Sequence, residues 1–126
     1  MTRHRPRFPP DVARALQRPA GRASVRYTVP AALARGPRID TVLMETPYEQ
    51  VLAALTLDTK RNLRFVRTGN RAEGARVALV NVAPLLAAGR HWNVAITWDA
   101  DQLHIAVRDQ HAHDGPVLEG RWPPGG

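Results

Sequence analysis

Residues 46–57, TPYEQVLAALTL, decide the fold of this 126-residue chain, because two periodicities run through them at once. Thr46-Pro47-Tyr48-Glu49 has the spacing of a capping box with proline at the first helical position, and Tyr48, Val51, Leu52 and Leu55 then share one helical stripe. Read in twos, Val51, Ala53, Leu55 and Leu57 alternate with other residues, the polar cluster 58–62 (DTKRN) turns the chain, and Leu63, Phe65 and Arg67 return as a second strand. The first reading gives a small α+β domain with a helix at 47–57. The second gives an all-β antiparallel sandwich of jelly-roll type with at most one short helix. Period alone does not separate them over so short a run.

Downstream the pattern is plainer. Trp92, Val94, Ile96 and Trp98 alternate with Asn93, Ala95 and Thr97; Asp99-Ala100-Asp101 turns; Leu103, Ile105 and Val107 alternate with His104, Ala106 and Arg108. This predicts a β-hairpin from Trp92 to Asp109, with a three-residue loop in which aspartate takes the left-handed conformation. Before it, Val77 to Val82 is apolar on both faces and reads as a central strand, Gly69 to Gly74 as a polar loop, and Pro84 to Gly89 as a crossing segment. Upstream, Val25, Tyr27 and Val29 form a half-buried strand ended by Pro30, Ala31 to Arg38 is a loop, and Ile39 to Met44 is another strand.

The two ends differ from this body. Residues 1–22 hold four prolines (Pro6, Pro9, Pro10 and Pro19), and Asp11 to Arg18 has room for one or two helical turns with Val12 and Leu16 on one face, too short to be stable alone. The segment is expected to be an extended arm, 23–120 a single β-rich domain, and 121–126 a frayed tail.

Composition sets the outer limits. With 44% hydrophobic and 23% charged residues the chain is that of an ordinary globular domain, sized for one core. No cysteine is present, which excludes disulfides, thiolate metal sites and thiol nucleophiles and leaves the compartment open. No apolar stretch is long enough to span a membrane, and residues 1–10 lack the apolar region of a signal peptide, so the chain as numbered reads as soluble. The formal charge of +7 is concentrated in residues 1–26, where seven arginines face Asp11 alone; the rest carries +1. Lys60 is the only lysine, which fits either phosphate-seeking guanidinium chemistry or the codon usage of a GC-rich genome.

The segment LLAAGRHWNVAITWDADQLHIAVRD (85–109) resembles the signature strand pair of the laminin-G and concanavalin-type lectin-like β-sandwich, in which a glycine and tryptophan lead into a strand ending in a threonine-aromatic-aspartate turn. VLAALTLDTKRNLRFVRTGN (51–70) is similar to the preceding hairpin and IDTVLME (39–45) to an earlier core strand, so the likeness covers 24–109. It departs at Arg108-Asp109-Gln110, which lacks the glycine usual there, and members are longer. The resemblance implies carbohydrate or protein recognition without catalysis, and calcium in some members, although no matching acidic loop stands in this sequence. The capping box supports a rival. Strand, helix, strand, VALVNVAPLL (77–86) and a closing hairpin resemble the N-terminal domains of secretins and TonB-dependent receptors, which implies an envelope or secretion-system interaction domain.

Candidate chemistry is sparse. His111 and His113 face the same way on an extended chain and with Asp109 or Asp114 suit zinc or nickel, against the plainer reading of a polar loop. Ser24 is the only serine and stands outside a nucleophile elbow, Glu45 and Glu49 read as caps, Asp99 and Asp101 as turn residues, and no glycines have phosphate-loop spacing. An enzyme is not expected. Parity places Asn93, Thr97, His104 and Arg108 on the outward face of the hairpin as ligand-binding residues, with Trp122 as an exposed contact and Trp92 and Trp98 in the core. Arg3, Arg5, Arg7, Arg14, Arg18 and Arg22 give the arm a means of tracking nucleic-acid phosphates or anchoring a partner, without aromatic side chains for base stacking apart from Phe8. The expected function is a binding or assembly module for carbohydrate or protein, with homo-oligomer or larger assembly among the partners.

Overall fold

The structure, a computed structural model, describes residues 6–46, 50–68, 74–112 and 114–124. Residues 52–57 form a strand. The elements in chain order are α1 (Pro10–Ala15), β1 (Gly21–Thr28), α2 (Ala31–Ala34), β2 (Thr41–Glu45), β3 (Leu52–Leu57), β4 (Asn62–Thr68), β5 (Ala75–Asn81), β6 (His91–Trp98), β7 (Leu103–Asp109) and β8 (Leu118–Trp122). A short 3-10 turn, Ala83–Leu85, precedes β6.

The α+β alternative fails because β3 has a strand on either side. It pairs with β2 and with β4, Leu55 standing opposite Phe65 and Leu57 opposite Leu63, and all four side chains are buried. A helical stripe would bury Leu52 together with Leu55. Leu52 instead lies on the outer face, 53% exposed. Residues 47–49 of the supposed capping box lie outside the described residues, but Thr46 belongs to the sheet: its hydroxyl accepts the Ala53 N–H (3.0 Å) and its own N–H donates to the Ala53 carbonyl (2.9 Å). After β3, the Asp58 carboxylate accepts the N–H groups of Lys60 (2.8 Å) and Asn62 (2.9 Å), and Arg61 turns the chain at φ 66°. Alternation and turn chemistry thus agree across the hairpin, and two ladders outweigh one local cap.

Two four-stranded antiparallel sheets result, ordered β1-β6-β7-β8 and β2-β3-β4-β5. The chain passes between sheets twice, after β1 and after β5, so in place of the expected jelly-roll order β2 to β5 form one meander and β6 to β8 another, with β1 added beside β6. Inward rows such as Val25-Val94-Val107 and Ala23-Ile96-Ile105-Gly120 face Leu55, Leu57, Leu63, Phe65 and Val80 across one core. The sheets touch most closely at β5 and β8, where a Cβ on Gly120 would collide with the Leu79 carbonyl. Glycine is needed there for the two backbones to meet.

The opposite side, between β1 and β2, is closed by the segment expected to be an extended arm. Phe8, Val12, Ala13 and Leu16 are buried, and the Phe8 ring meets Phe65 edge-on at 6.4 Å. Phe8 N–H donates to Glu45 O and Glu45 N–H to Pro6 O, adding a short parallel edge to β2. The Gln17 side chain both donates to and accepts from the Val51 backbone. Arginines and prolines mask this role in sequence; the prolines fix an extended entry and then open α1. β1 starts at Gly21, two residues before the expected boundary, and takes in Arg22.

Smaller differences have local causes. The tail is not frayed as far as Trp122, because Leu118, Gly120 and Trp122 turn inward and β8 pairs with β7 from Val107 to Leu103. Ile39 lies before β2 and is 73% exposed, and β2 carries an irregularity between Val42 and Met44. The expected loop 31–38 contains α2, whose Leu33 packs on the core. The β6–β7 loop has four residues, since Trp98 pairs with Leu103. Its shape comes from the Asp99 carboxylate, which accepts the N–H groups of Asp101 (2.8 Å) and Gln102 (3.0 Å); Arg61 is the only non-glycine residue with positive φ among those described.

Candidate ligand-binding face

The ladder register assembles the outer face of the β1-β6-β7-β8 sheet as four cross-strand rows. Thr28 and His91 begin it, joined by a 2.8 Å hydrogen bond between Thr28 Oγ1 and His91 Nδ1. Arg26, Asn93 and Arg108 form the second row, Ser24, Ala95, Ala106 and Glu119 the third, and Arg22, Thr97, His104 and Arg121 the fourth. The second and fourth rows lie four residues apart along β1, β6 and β7, roughly 13 Å at 3.3–3.4 Å per residue. Between them the small side chains of Ser24, Ala95 and Ala106 leave a low floor.

A cleft opens at each end of this floor. The first, about 230 Å³, is lined by Arg26, Asn93, Arg108, Asp109, Gln110 and Ala112. The second, about 420 Å³, is lined by Thr97, Gln102, His104, Arg121, Trp122 and Pro123. The five residues expected to bind ligand are therefore divided between them: Asn93 and Arg108 in one, Thr97, His104 and Trp122 in the other. Trp122 is not the free contact that its arginine and proline neighbours imply. It is half-buried and lies under the Arg76 guanidinium, 4.6 Å from ring centroid to the guanidinium carbon, and lends one wall to the cleft.

Charge on this face is unevenly compensated. His104 Nε2 lies 3.3 Å from Glu119 Oε1. Asp109, at the rim of the first cleft, is engaged by Arg90 (3.2 Å) and by the His111 N–H (2.9 Å). The guanidinium groups of Arg22, Arg26, Arg108 and Arg121 make no hydrogen bond or ion pair among the described residues. Sequence reasoning assigned Arg22 to the arm, and left Arg26, Arg121, Gln102 and Gln110 out. Parity within β1 was the signal that could have placed Arg26 with Asn93; nothing comparable marked Arg121 while β8 read as tail.

The histidine cluster has another arrangement than the expected metal site. Asp109 is turned to Arg90 and its own turn, His111 is exposed with its ring edge-on to His91 at 5.3 Å, and His113 lies outside the described residues. No group of three or more potential ligands forms among the described residues. The arm arginines among the described residues stand on different elements. Arg3 and Arg5 lie outside the described residues, Arg7 sits on the β2 edge, Arg14 lies on α1 and Arg18 just beyond it, and Arg22 is in β1.

Two further arginines point inward at the end of the sandwich: Arg67, which continues the alternating row of Leu63 and Phe65, and Arg76, which carried no expectation. Arg67, 7% exposed, donates to the carbonyls of Leu16 (3.2 Å) and Arg18 (2.7 Å) beyond α1 and lies 5.6 Å from the Trp98 ring. Trp98 Nε1 donates to the same Arg18 carbonyl. Arg76 donates to the Asp99 carbonyl (3.2 Å). The Asp101 N–H, with the Gln102 side chain and N–H and the charge of Arg76, outweighs slight desolvation and holds the Asp99 carboxyl below its ordinary value. At Asp58 desolvation pushes upward, but the N–H groups of Asn62 and Lys60, the Asn62 side chain and Arg64 prevail and the carboxyl is also lowered. Burial raises the Tyr27 phenol.

Comparison with protein-family models, curated proteins and solved structures finds no match to this chain.

Proposed function

We propose that this domain is a non-enzymatic binding module that holds carbohydrate on the outer face of its β1-β6-β7-β8 sheet. The observation that carries this reading is the pair of clefts at opposite ends of one small-residue floor, lined by amide, hydroxyl, imidazole and guanidinium groups with an indole wall in the larger. Sugars need such a combination: polar side chains to exchange hydrogen bonds with hydroxyls, and an apolar surface for the C–H face of the ring. Arg26, Asn93, Arg108, Thr97, His104 and Arg121 stand on paired strands, which keeps their spacing fixed, while Gln102 and Gln110 border the clefts from the adjoining turns.

The two other readings lose their support. The envelope-domain resemblance depends on a helix at 47–57, and 52–57 is β3. The arm-driven nucleic-acid reading rests on a free arm, and Phe8, Val12, Ala13 and Leu16 of that segment pack into the core.

Titration of the isotope-labelled domain with a panel of oligosaccharides, followed by amide chemical shifts, tests the proposal. Saturable shifts are expected at Thr97, Gln102, His104 and the Trp122 indole, weakened by Thr97→Ala. Absence of saturable binding, or shifts confined to the β2-β3-β4-β5 sheet, overturns it.

A further inference from the structure

Resting on the carbohydrate reading, we infer that the Arg26-Asn93-Arg108 row is a clamp for a single carboxylate or sulfate, so that the ligand is an acidic oligosaccharide whose charged group sits in the smaller cleft while a sugar ring sits against Trp122.

The three residues are direct neighbours across three strands, Arg26 opposite Asn93 and Asn93 opposite Arg108. Adjacent strands stand about 4.8 Å apart, so the two arginine Cα atoms are separated by roughly 10 Å with the amide between them. Two forked guanidinium donors converging on one oxoanion, and an amide N–H₂ to share it, is the donor set that planar carboxylates and sulfates take up. The one carboxylate on the rim, Asp109, is drawn away by Arg90 at 3.2 Å and does not neutralise either arginine.

The distance between the clefts and the chemistry of the floor set the rest. A ligand reaching from the Arg26-Asn93-Arg108 row to Thr97, His104 and Trp122 must cover roughly 13 Å over Ser24, Ala95 and Ala106. An oligosaccharide of a few rings lies flat on such a floor. The rows themselves carry no phenylalanine, tyrosine or tryptophan on which successive nucleobases would stack.

The test compares an oligogalacturonate, its sulfated-glycan counterpart and a neutral oligosaccharide of equal length by calorimetry, using the intact chain and the variants Arg26→Ala, Arg108→Ala and Arg38→Ala. Arg38 is exposed, lies before β2 and lines neither cleft, and its variant removes the same charge. Acidic glycan is expected to bind at least tenfold more tightly than neutral, with the preference reduced about tenfold by either Arg26→Ala or Arg108→Ala, unchanged by Arg38→Ala, and weakened by added salt. Whichever acidic polymer binds more tightly identifies carboxylate or sulfate as the group. Thermal midpoints equal to the parent's establish that the variants are folded. Equal binding of neutral and acidic glycans, or no effect of the two face variants, overturns the clamp and leaves the carbohydrate reading standing. Binding of none of the glycans overturns both. Tight binding of duplex DNA, sensitive to Arg26→Ala but with no glycan competing, replaces them with a phosphate-binding face.

Discussion

Arg67 shows how much one buried polar side chain holds together. Its guanidinium serves the Leu16 and Arg18 carbonyls beyond α1, where the helix end is negative, and faces the Trp98 ring. Arg67→Met keeps the apolar stem and abandons both carbonyls; a loss of about 2–4 kcal/mol in urea unfolding is expected. Arg67→Lys, with a point charge in place of a fork, should recover part of it. Gly120→Ala should cost about 1–3 kcal/mol by the same measurement, because its Cβ has no room beside the Leu79 carbonyl. The turn aspartates set a pH response. Asp58 and Asp99 have folded-state values lowered below the ordinary 3.8, so the stability they confer is present above the unfolded value and is lost as pH falls through the folded one. Between about pH 5 and pH 2 the Asp58→Asn and Asp99→Asn variants should therefore lose less stability than the parent in acid titrations. Both carboxyls are exposed, and the difference should shrink with added salt.

Among the elements, the legibility of each depended on how many of its partners were local. The β6–β7 hairpin was plain because strict alternation and a turn lie in one short stretch, even though the loop proved to be four residues held by Asp99 rather than three. β3 was ambiguous because its neighbours on both sides, β2 and β4, are what exclude a helix, and a local cap competes with them. α1 was misread more seriously. Its intrinsic stability is low, as its length dictates, yet Val12 and Leu16 fill the gap between β1 and β2 and tertiary contact supplies what propensity lacks. Leu16→Ala is expected to destabilise by about 2–5 kcal/mol. Removing residues 1–22 should unfold the domain, seen as loss of the cooperative thermal transition in circular dichroism, where a dispensable arm would leave that transition unchanged.

On the scale of the whole molecule, the two sheets present unlike outer faces. One carries four unpaired arginines and two polar clefts; the other exposes Val42, Leu52 and Leu79 around half-buried Ala54, Val66 and Val77. Parity alone placed Asn93, Thr97, His104 and Arg108 together on the first, because the hairpin was secure. Parity within β1 marks Arg26 as outward, but only the long-range pairing of β1 and β8, from the far ends of the chain, adds Arg22, Arg26 and Arg121 to that sheet. Leu79→Thr on the other face should leave both the unfolding free energy and any glycan affinity within about 0.5 kcal/mol of the parent.

The closure of the core by residues 6–18 has a consequence in time. The hydrogen bond from Trp98 to the Arg18 carbonyl spans 80 positions of sequence, and Arg67 reaches back 49 to the same carbonyl. A chain growing from its N-terminus makes the plug first and the cavity it fills last. Phe8, Val12 and Leu16 must then stay exposed, and open to chaperones or to one another, until β6 has left the ribosome. Folding on dilution from denaturant should accordingly be one slow step, in the millisecond-to-second range set by distant contacts.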